Sequence, residues 1–331
     1  METSELQQKL FTYLKETLPP HLSLVDELCD FLKLGTDSVY RRIRGEKPIT
    51  LAELKKLCEH YHVSIDQLLN LQNESAFFDA PGINNAPEHF ADYLKEILAK
   101  FKYFNTFKKT QIQYFCKDIP IWYFYLFPEL GAFKTFFWSK TFHNLPELNN
   151  KKFSLKEYPF YECFLVGQQI VEEQNRIPSV ELWNLESINS TINQILYYRD
   201  IGNFRSDDDY LAVIDSFQQT LDHLQLQAEK GVKFMPGVTD LSYKAPIQFY
   251  LNDLIMGNNT MLLNLDDKKL SMITYGVFNY LFTHDPRFSA KITAMFDTLF
   301  NRSTLVSKTD EKARSRFFNT FRERVNVLRS K

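Results

Sequence analysis

Leu24-Val-Asp-Glu-Leu-Cys-Asp-Phe-Leu-Lys-Leu34, then Gly35-Thr36, then Asp37-Ser-Val-Tyr-Arg-Arg-Ile-Arg44 and Gly45-Glu-Lys-Pro48 decide the fold at the N-terminal end of this chain. Leu24, Leu28, Phe31 and Leu32 recur at helical spacing and predict one buried stripe. Gly35 supplies a residue that tolerates positive φ for a tight turn. Thr36 is read as the N-cap of a second helix, with Asp37 at its positive end. On that helix Val39 and Ile43, four apart, are expected to anchor the core. Asp37, Ser38, Arg41, Arg42 and Arg44 are then expected to face outward. Two short helices joined by a tight turn, the second with an arginine-rich outer face, suit a DNA major groove.

The pattern extends in both directions. Leu6, Leu10, Tyr13 and Leu14 predict a preceding helix. Thr50 with Glu53 forms a capping-box pair ahead of Leu51, Leu54 and Leu57, and Ser64 with Gln67 repeats it before Leu68 and Leu69. With these residues in view, residues 4–71 resemble the Cro/C1-type, phage-repressor-like helix-turn-helix regulators. Two positions depart from that family: Lys33 stands where its members carry the turn glycine, and Ile43 is read as filling an apolar place that the alignment puts at Arg42. The resemblance implies a DNA-reading helix with Thr36, Asp37, Ser38, Tyr40, Arg41, Arg42, Arg44 and Lys47 at the interface. Arg41 and Arg42 are the expected guanine contacts through their bidentate forks, with Thr36 and Ser38 on phosphates. Arg44 and Lys47 are assigned to phosphate as well. Residues 1–75 nevertheless hold nine Lys and Arg against twelve Asp and Glu, a net of −3. That balance leaves a second reading open: a protein-interaction scaffold or antitoxin-like partner with a vestigial helix-turn-helix.

With 331 residues, 44% of them hydrophobic and 24% charged, the chain has room for two or three globular domains. Thirty Phe and seventeen Tyr against ten Gly predict cores rich in ring contacts. The segment Ile119–Trp138 has the length of a membrane span, but Pro120, Pro128, Glu129, Gly131 and Lys134 interrupt it. A buried turn followed by a buried helix from Pro128 is expected instead, and no membrane partner. Cys29, Cys58, Cys116 and Cys163 lie far apart, giving neither a disulfide framework nor a zinc pattern. The opening Met-Glu-Thr-Ser-Glu is not a secretory signal, so a cytoplasmic location is expected.

The turn formers of 80–87 mark a linker, giving a helix-turn-helix domain at 1–72, a linker at 73–87 and a larger domain at 88–331, with a further boundary possible near 203. The fold expected is mainly α: an N-terminal helix-turn-helix bundle, then a larger aromatic-rich helical domain containing a small antiparallel β-sheet within 247–277. Helices are expected at 88–104, across 157–200, at 207–230, 275–283 and 287–301, and at 310–328. In the last of these, Ser307 or Thr309 is read as the cap. Residues 302–331 carry a net charge of +6, most simply a solvated helix face.

Catalytic motifs are missing: no nucleophile elbow, phosphate loop, dinucleotide fingerprint or zinc-protease pair occurs. Cys58, His60 and His62 do not share one helix face, and His284-Asp285 before Pro286 reads as a capping turn. The expectation is a regulator and not an enzyme, with no cofactor and no metal. Its partners would be double-stranded DNA, a second copy of itself across an inverted repeat, and an effector, small molecule or protein, at the large domain. Segments 88–104 and 119–138 are the expected dimer contacts.

Overall fold

The computed structural model describes residues 3–18, 22–61, 63, 76–80, 89–157, 161–242, 244–252, 257–276 and 279–330. Ser64 with Gln67, His62 and the turn formers at 81–87 lie outside the described residues. The chain divides into two compact units, residues 1–77 and 78–331.

Among the described residues unit 1 contains four helices: α1 (Thr3–Thr17), α2 (Leu24–Leu32), α3 (Thr36–Ile43) and α4 (Leu51–Tyr61). Leu10, Phe11 and Leu14 from α1, Leu24 and Leu28 from α2, Val39 from α3 and Leu57 from α4 form its core, with Val63. Each helix supplies one apolar stripe, so no single helix is buried all round. The turn between α2 and α3 differs from expectation. Lys33, not Gly35, takes the left-handed conformation, at φ 54°, and its N–H bonds the carbonyl of Cys29. Gly35 is extended at φ −71° and is itself the N-cap of α3, so Thr36 is the first helical residue. Ser23 caps α2 through Asp26 N–H.

Unit 2 is built on a seven-stranded mixed sheet, which overturns the expected mainly α fold with a small antiparallel sheet. The strands are β1 (Thr110–Cys116), β2 (Ser179–Trp183), β3 (Ile247–Leu251), β4 (Thr260–Leu265), β5 (Lys268–Thr274), β6 (Tyr280–Thr283) and β7 (Thr304–Leu305). Their order is β6-β5-β4-β1-β2-β3-β7. β1, β2 and β3 run parallel, and β4, β5, β6 and β7 pair antiparallel. Parallel neighbours require long crossovers, and the helices between β1 and β3 supply them.

α5 (Phe90–Phe104) precedes β1; the crossover helices are α6 (Pro128–Thr141) and α7 (Tyr161–Gln174) between β1 and β2, and α8 (Asn189–Asp200) and α9 (Asp207–Lys230) between β2 and β3. α10 (Pro286–Asn301) lies between β6 and β7, and α11 (Glu311–Asn326) follows β7. Alternation along the strands separates two cores. Ile112, Tyr114, Met261 and Leu263 join the main core with α5 to α9 and α11. Phe115, Leu182 and Leu262 face Ile292, Phe296 and Leu299 of α10 on the other side.

Pro128 begins a buried helix after a 3-10 turn at Ile121–Tyr125, as its sequence suggests. Ten consecutive residues of α6, Leu130–Ser139, are buried, so segment 119–138 belongs to the interior of unit 2 and offers no dimer surface. Among the described residues no helix is long and apolar enough to cross a membrane. The helix expected at 275–283 is replaced by β6, whose Phe282 exchanges two backbone hydrogen bonds with Asp79. Asp310, not Ser307 or Thr309, caps α11 through Ala313 N–H. The basic tail is partly consumed in packing: Arg322 pairs with Asp222 and Arg329 with Asp215, while Arg324 bonds Asn189 at 2.5 Å.

Candidate nucleic-acid interface

The eight residues of α3 divide cleanly into two faces. Tyr40 and Arg41 are exposed, with Thr36 and Asp37 at the start of the helix, and the C-cap residue Arg44 is exposed beyond its end. Val39 is buried and Ile43 packs at the edge of the core. The helix N-terminus has no side-chain cap, which leaves its first amides and the positive end of the helix dipole facing outward.

Arg42 corrects the sequence reading. Its exposure is 4%, so it does not stand with Arg41 and Arg44 on the outer face. Nη2 donates to Glu53 Oε1 at 2.8 Å, and Nη1 donates to Ser38 Oγ at 2.6 Å and Ser38 O at 3.2 Å. The inward position thus holds a charge, and the place that the family pattern puts at residue 42, read from the sequence as moved to Ile43, is filled by Arg42 after all. Glu53 serves two neighbours. Oε2 accepts Thr50 N–H at 2.8 Å while Glu53 N–H bonds Thr50 Oγ1 at 3.2 Å, which completes the expected capping box. Burial works against its ionised form, yet the bonds from Thr50 and Arg42 hold its carboxyl below the ordinary value.

The end of α3 is pinned from α1. Gln7, buried, donates through Nε2 to Arg42 O at 2.7 Å and Lys47 O at 2.8 Å, and accepts Ile49 N–H at 2.9 Å. Gln8 adds a bond to Arg44 O at 2.7 Å. Gly45 sits at φ 77°, and a Cβ there would lie 3.2 Å from the backbone oxygen of Ser4, so the chain turns against α1 only with glycine. These contacts satisfy carbonyls that a helix C-terminus otherwise leaves open. Gln7 was not singled out in the sequence. Its only signal is position, because it follows Leu6 by one and precedes Leu10 by three on a helix expected to pack against the unit.

One acid stands among the exposed arginines. Glu46 accepts from Arg44 Nε at 2.6 Å and Nη2 at 3.1 Å, and lies 3.8 Å from Arg41 Nε. The Arg44 bond holds the Glu46 carboxyl below its ordinary value. Both groups are in water, so the pair is weak and exchangeable.

Residues 8–98 match the family model of the BetR domain. That is a DNA-binding regulator domain of the helix-turn-helix type, and the match supports a helix-turn-helix regulator at the N-terminal end of this chain. No curated protein and no solved structure matches the chain. The BetR match runs from within α1 through the N-terminal nine residues of α5, so it covers α2, α3 and α4 and passes beyond residue 77, while Ser4 and Gln7 lie just before it. DNA is the partner to which this match points. Of the eight positions expected at the interface, Thr36, Asp37, Tyr40, Arg41, Arg44 and Lys47 are exposed. Ser38 is half-buried, with its hydroxyl held by Arg42. His60 stacks on Phe31, with ring centroids 4.1 Å apart, and takes a packing role. Asp285 caps α10 through the amides of Arg287 and Phe288.

Proposed function

We propose that the chain is a sequence-specific transcription regulator that inserts α3 into the DNA major groove. The observation that carries this reading is the separation of arginines on α3: Arg41 and Arg44 half-exposed on the outer face, Arg42 turned inward to Glu53. Arg41 is the guanine-reading residue in this proposal, through its bidentate fork. Tyr40 contributes an apolar edge beside it. The open amides at the start of α3, with Thr36 and Asp37 beside them, orient the helix on the backbone. Arg44 and Lys47 hold phosphate. Arg42 is a strut that fixes α3 on α4 and touches no base. The four-helix order is in keeping with the Cro/C1-like reading.

A single unit of this size makes few phosphate contacts, so two copies on an inverted repeat are proposed, one half-site each. The large unit then provides dimerisation or effector response. The net charge of −3 over residues 1–75, with Glu46 clamping the outer arginines, favours a second reading as a protein-interaction scaffold. Salt titration of DNA binding separates the two. A reader of phosphates loses affinity steeply with salt, and Arg44→Ala lowers the slope by about one. Absence of binding at low salt supports the scaffold.

A further inference from the structure

Unit 2 holds a cleft of about 80 Å³ beyond the C-terminal end of β1. Asp118 from the segment after β1, Ser190, Thr191 and Gln194 from the first turns of α8, and Asn259 ahead of β4 contribute to its lining. Lys134 of α6 lines it too, although its exposure is only 2%. Its Nζ donates to Gln194 Oε1 at 2.5 Å and to Thr191 Oγ1 at 3.4 Å. The rings of Phe124 and Trp138 stand 4.1 and 4.5 Å from the same nitrogen.

An ammonium has three donors, and here two meet neutral oxygens; Asp118 on the same lining attracts it through space, but among the described residues no carboxylate forms an ion pair with it. Removing such a charge from water is expensive unless an opposite charge compensates it, and two ring faces supply only part of that. Burial pushes the Lys134 amine down to about 7, which expresses the same deficit. Gln194 and Thr191 orient the ammonium, and the N-terminal end of α8 brings a second positive potential to the same cleft. The location adds an independent argument. In open α/β sheets ligands settle outside the carboxyl ends of the parallel strands. β1, flanked by parallel β2 and antiparallel β4, ends at this cleft.

We propose that this cleft binds a compact oxyanion, a carboxylate or phosphate group, held by Lys134 and the first turn of α8. Asp118 on the same lining limits the ligand to one anionic end and matches a donor beside it. The free volume accommodates a short acid or a phosphate group. The site is independent of how residues 1–77 act.

Calorimetric titration of the full chain in slightly acid buffer tests the proposal, with sodium phosphate and sodium butyrate as probes and sodium chloride at equal ionic strength as the blank. At least one probe is expected to bind one-to-one. Lys134→Met should weaken that binding by about tenfold or more, and Lys291→Met on the exposed face of α10 should leave it unchanged. Binding of phosphate alone identifies a phosphate ligand, and of butyrate alone a carboxylic acid. Failure of both probes up to roughly 20 mM, or equal binding by Lys134→Met, overturns the proposal. Hydrogen exchange of the unsubstituted chain gives a reading that does not depend on any variant folding. The bound probe should slow exchange at 188–195 and 117–124, and protection confined to other segments overturns the site.

Discussion

Arg42→Ala distinguishes a strut from a base contact. The side chain makes three hydrogen bonds, two to Ser38 and one to Glu53, and its position is 4% exposed. Hydrogen bonds to charged groups contribute about 1.5–3 kcal/mol each at the upper end, and breaking a buried pair costs about 3–5 kcal/mol. Two features lower the figure here. Glu53 is 19% exposed on its side chain, so water solvates it once Arg42 is gone, and Arg42 Nε has no acceptor among the described residues. The expected loss is therefore about 2–3 kcal/mol of unit 1 stability, with a coupling of about 1–2 kcal/mol in a double-mutant cycle with Glu53→Gln. All three tryptophans lie in residues 122–183, so fluorescence does not report on unit 1. Hydrogen exchange of the full chain, followed in peptides covering 24–32 and 51–61, does. Exchange through global opening should accelerate by about 30- to 160-fold. A variant that exchanges within about twofold of the parent, yet no longer binds DNA, would refute the strut and restore Arg42 as a contact.

Three further outcomes follow from the same geometry. Glu46→Gln frees Arg44 and Arg41 for phosphate and should raise DNA affinity by up to about eightfold at 0.1 M salt, with a steeper salt slope in filter binding; unchanged affinity contradicts the clamp. Lys33→Gly removes a side chain from a left-handed position and should stabilise unit 1 by about 0.5–1 kcal/mol by hydrogen exchange; destabilisation would show that the turn relies on the Lys33 side chain. Lys134 holds its proton to about 10.5 when unfolded but releases it near 7 when buried, so the unfolded state binds more protons above pH 7 and stability rises with pH. Urea unfolding followed by tryptophan fluorescence should show about 1 kcal/mol gained by unit 2 between pH 7 and 8 from this residue. Lys134→Met should flatten the rise, leaving the slope that Lys233, lowered by its own burial, contributes; an identical slope would place the titration elsewhere.

The sequence was legible where local signals and burial agree. Thr50 and Glu53 show their capping box in spacing alone, and α9 announces itself by Ser206 ahead of three aspartates and by Gly231 at φ 66° behind Lys230. The β4–β5 hairpin could be read from its Asp266-Asp267 turn, whose first residue sits at φ 55°. The central strands could not. β2 reads Ser-Val-Glu-Leu-Trp, and a glutamate within five buried residues gives no strand period. Glu181 is tolerated because Tyr123, Ser179 and Trp183 all donate to its carboxylate, contacts that exist only after folding. Without β1 and β2 the remaining strands resemble a small antiparallel sheet, which is how the mixed sheet was missed. At the interface, outer and inner arginines are one residue apart on an eight-residue helix, and the bonds that hold Arg42 inward, to Ser38 and Glu53, exist only after folding.

Selection of bound sequences from a random duplex library by the full-length chain tests the central claim most directly. The account predicts an enriched, guanine-containing half-site that disappears with Arg41→Ala. Lys or Met at position 42 should preserve the preferred sequence if the variant folds. No enrichment, or an Arg41→Ala variant that selects the same site as the parent, would contradict DNA reading by the outer face of α3.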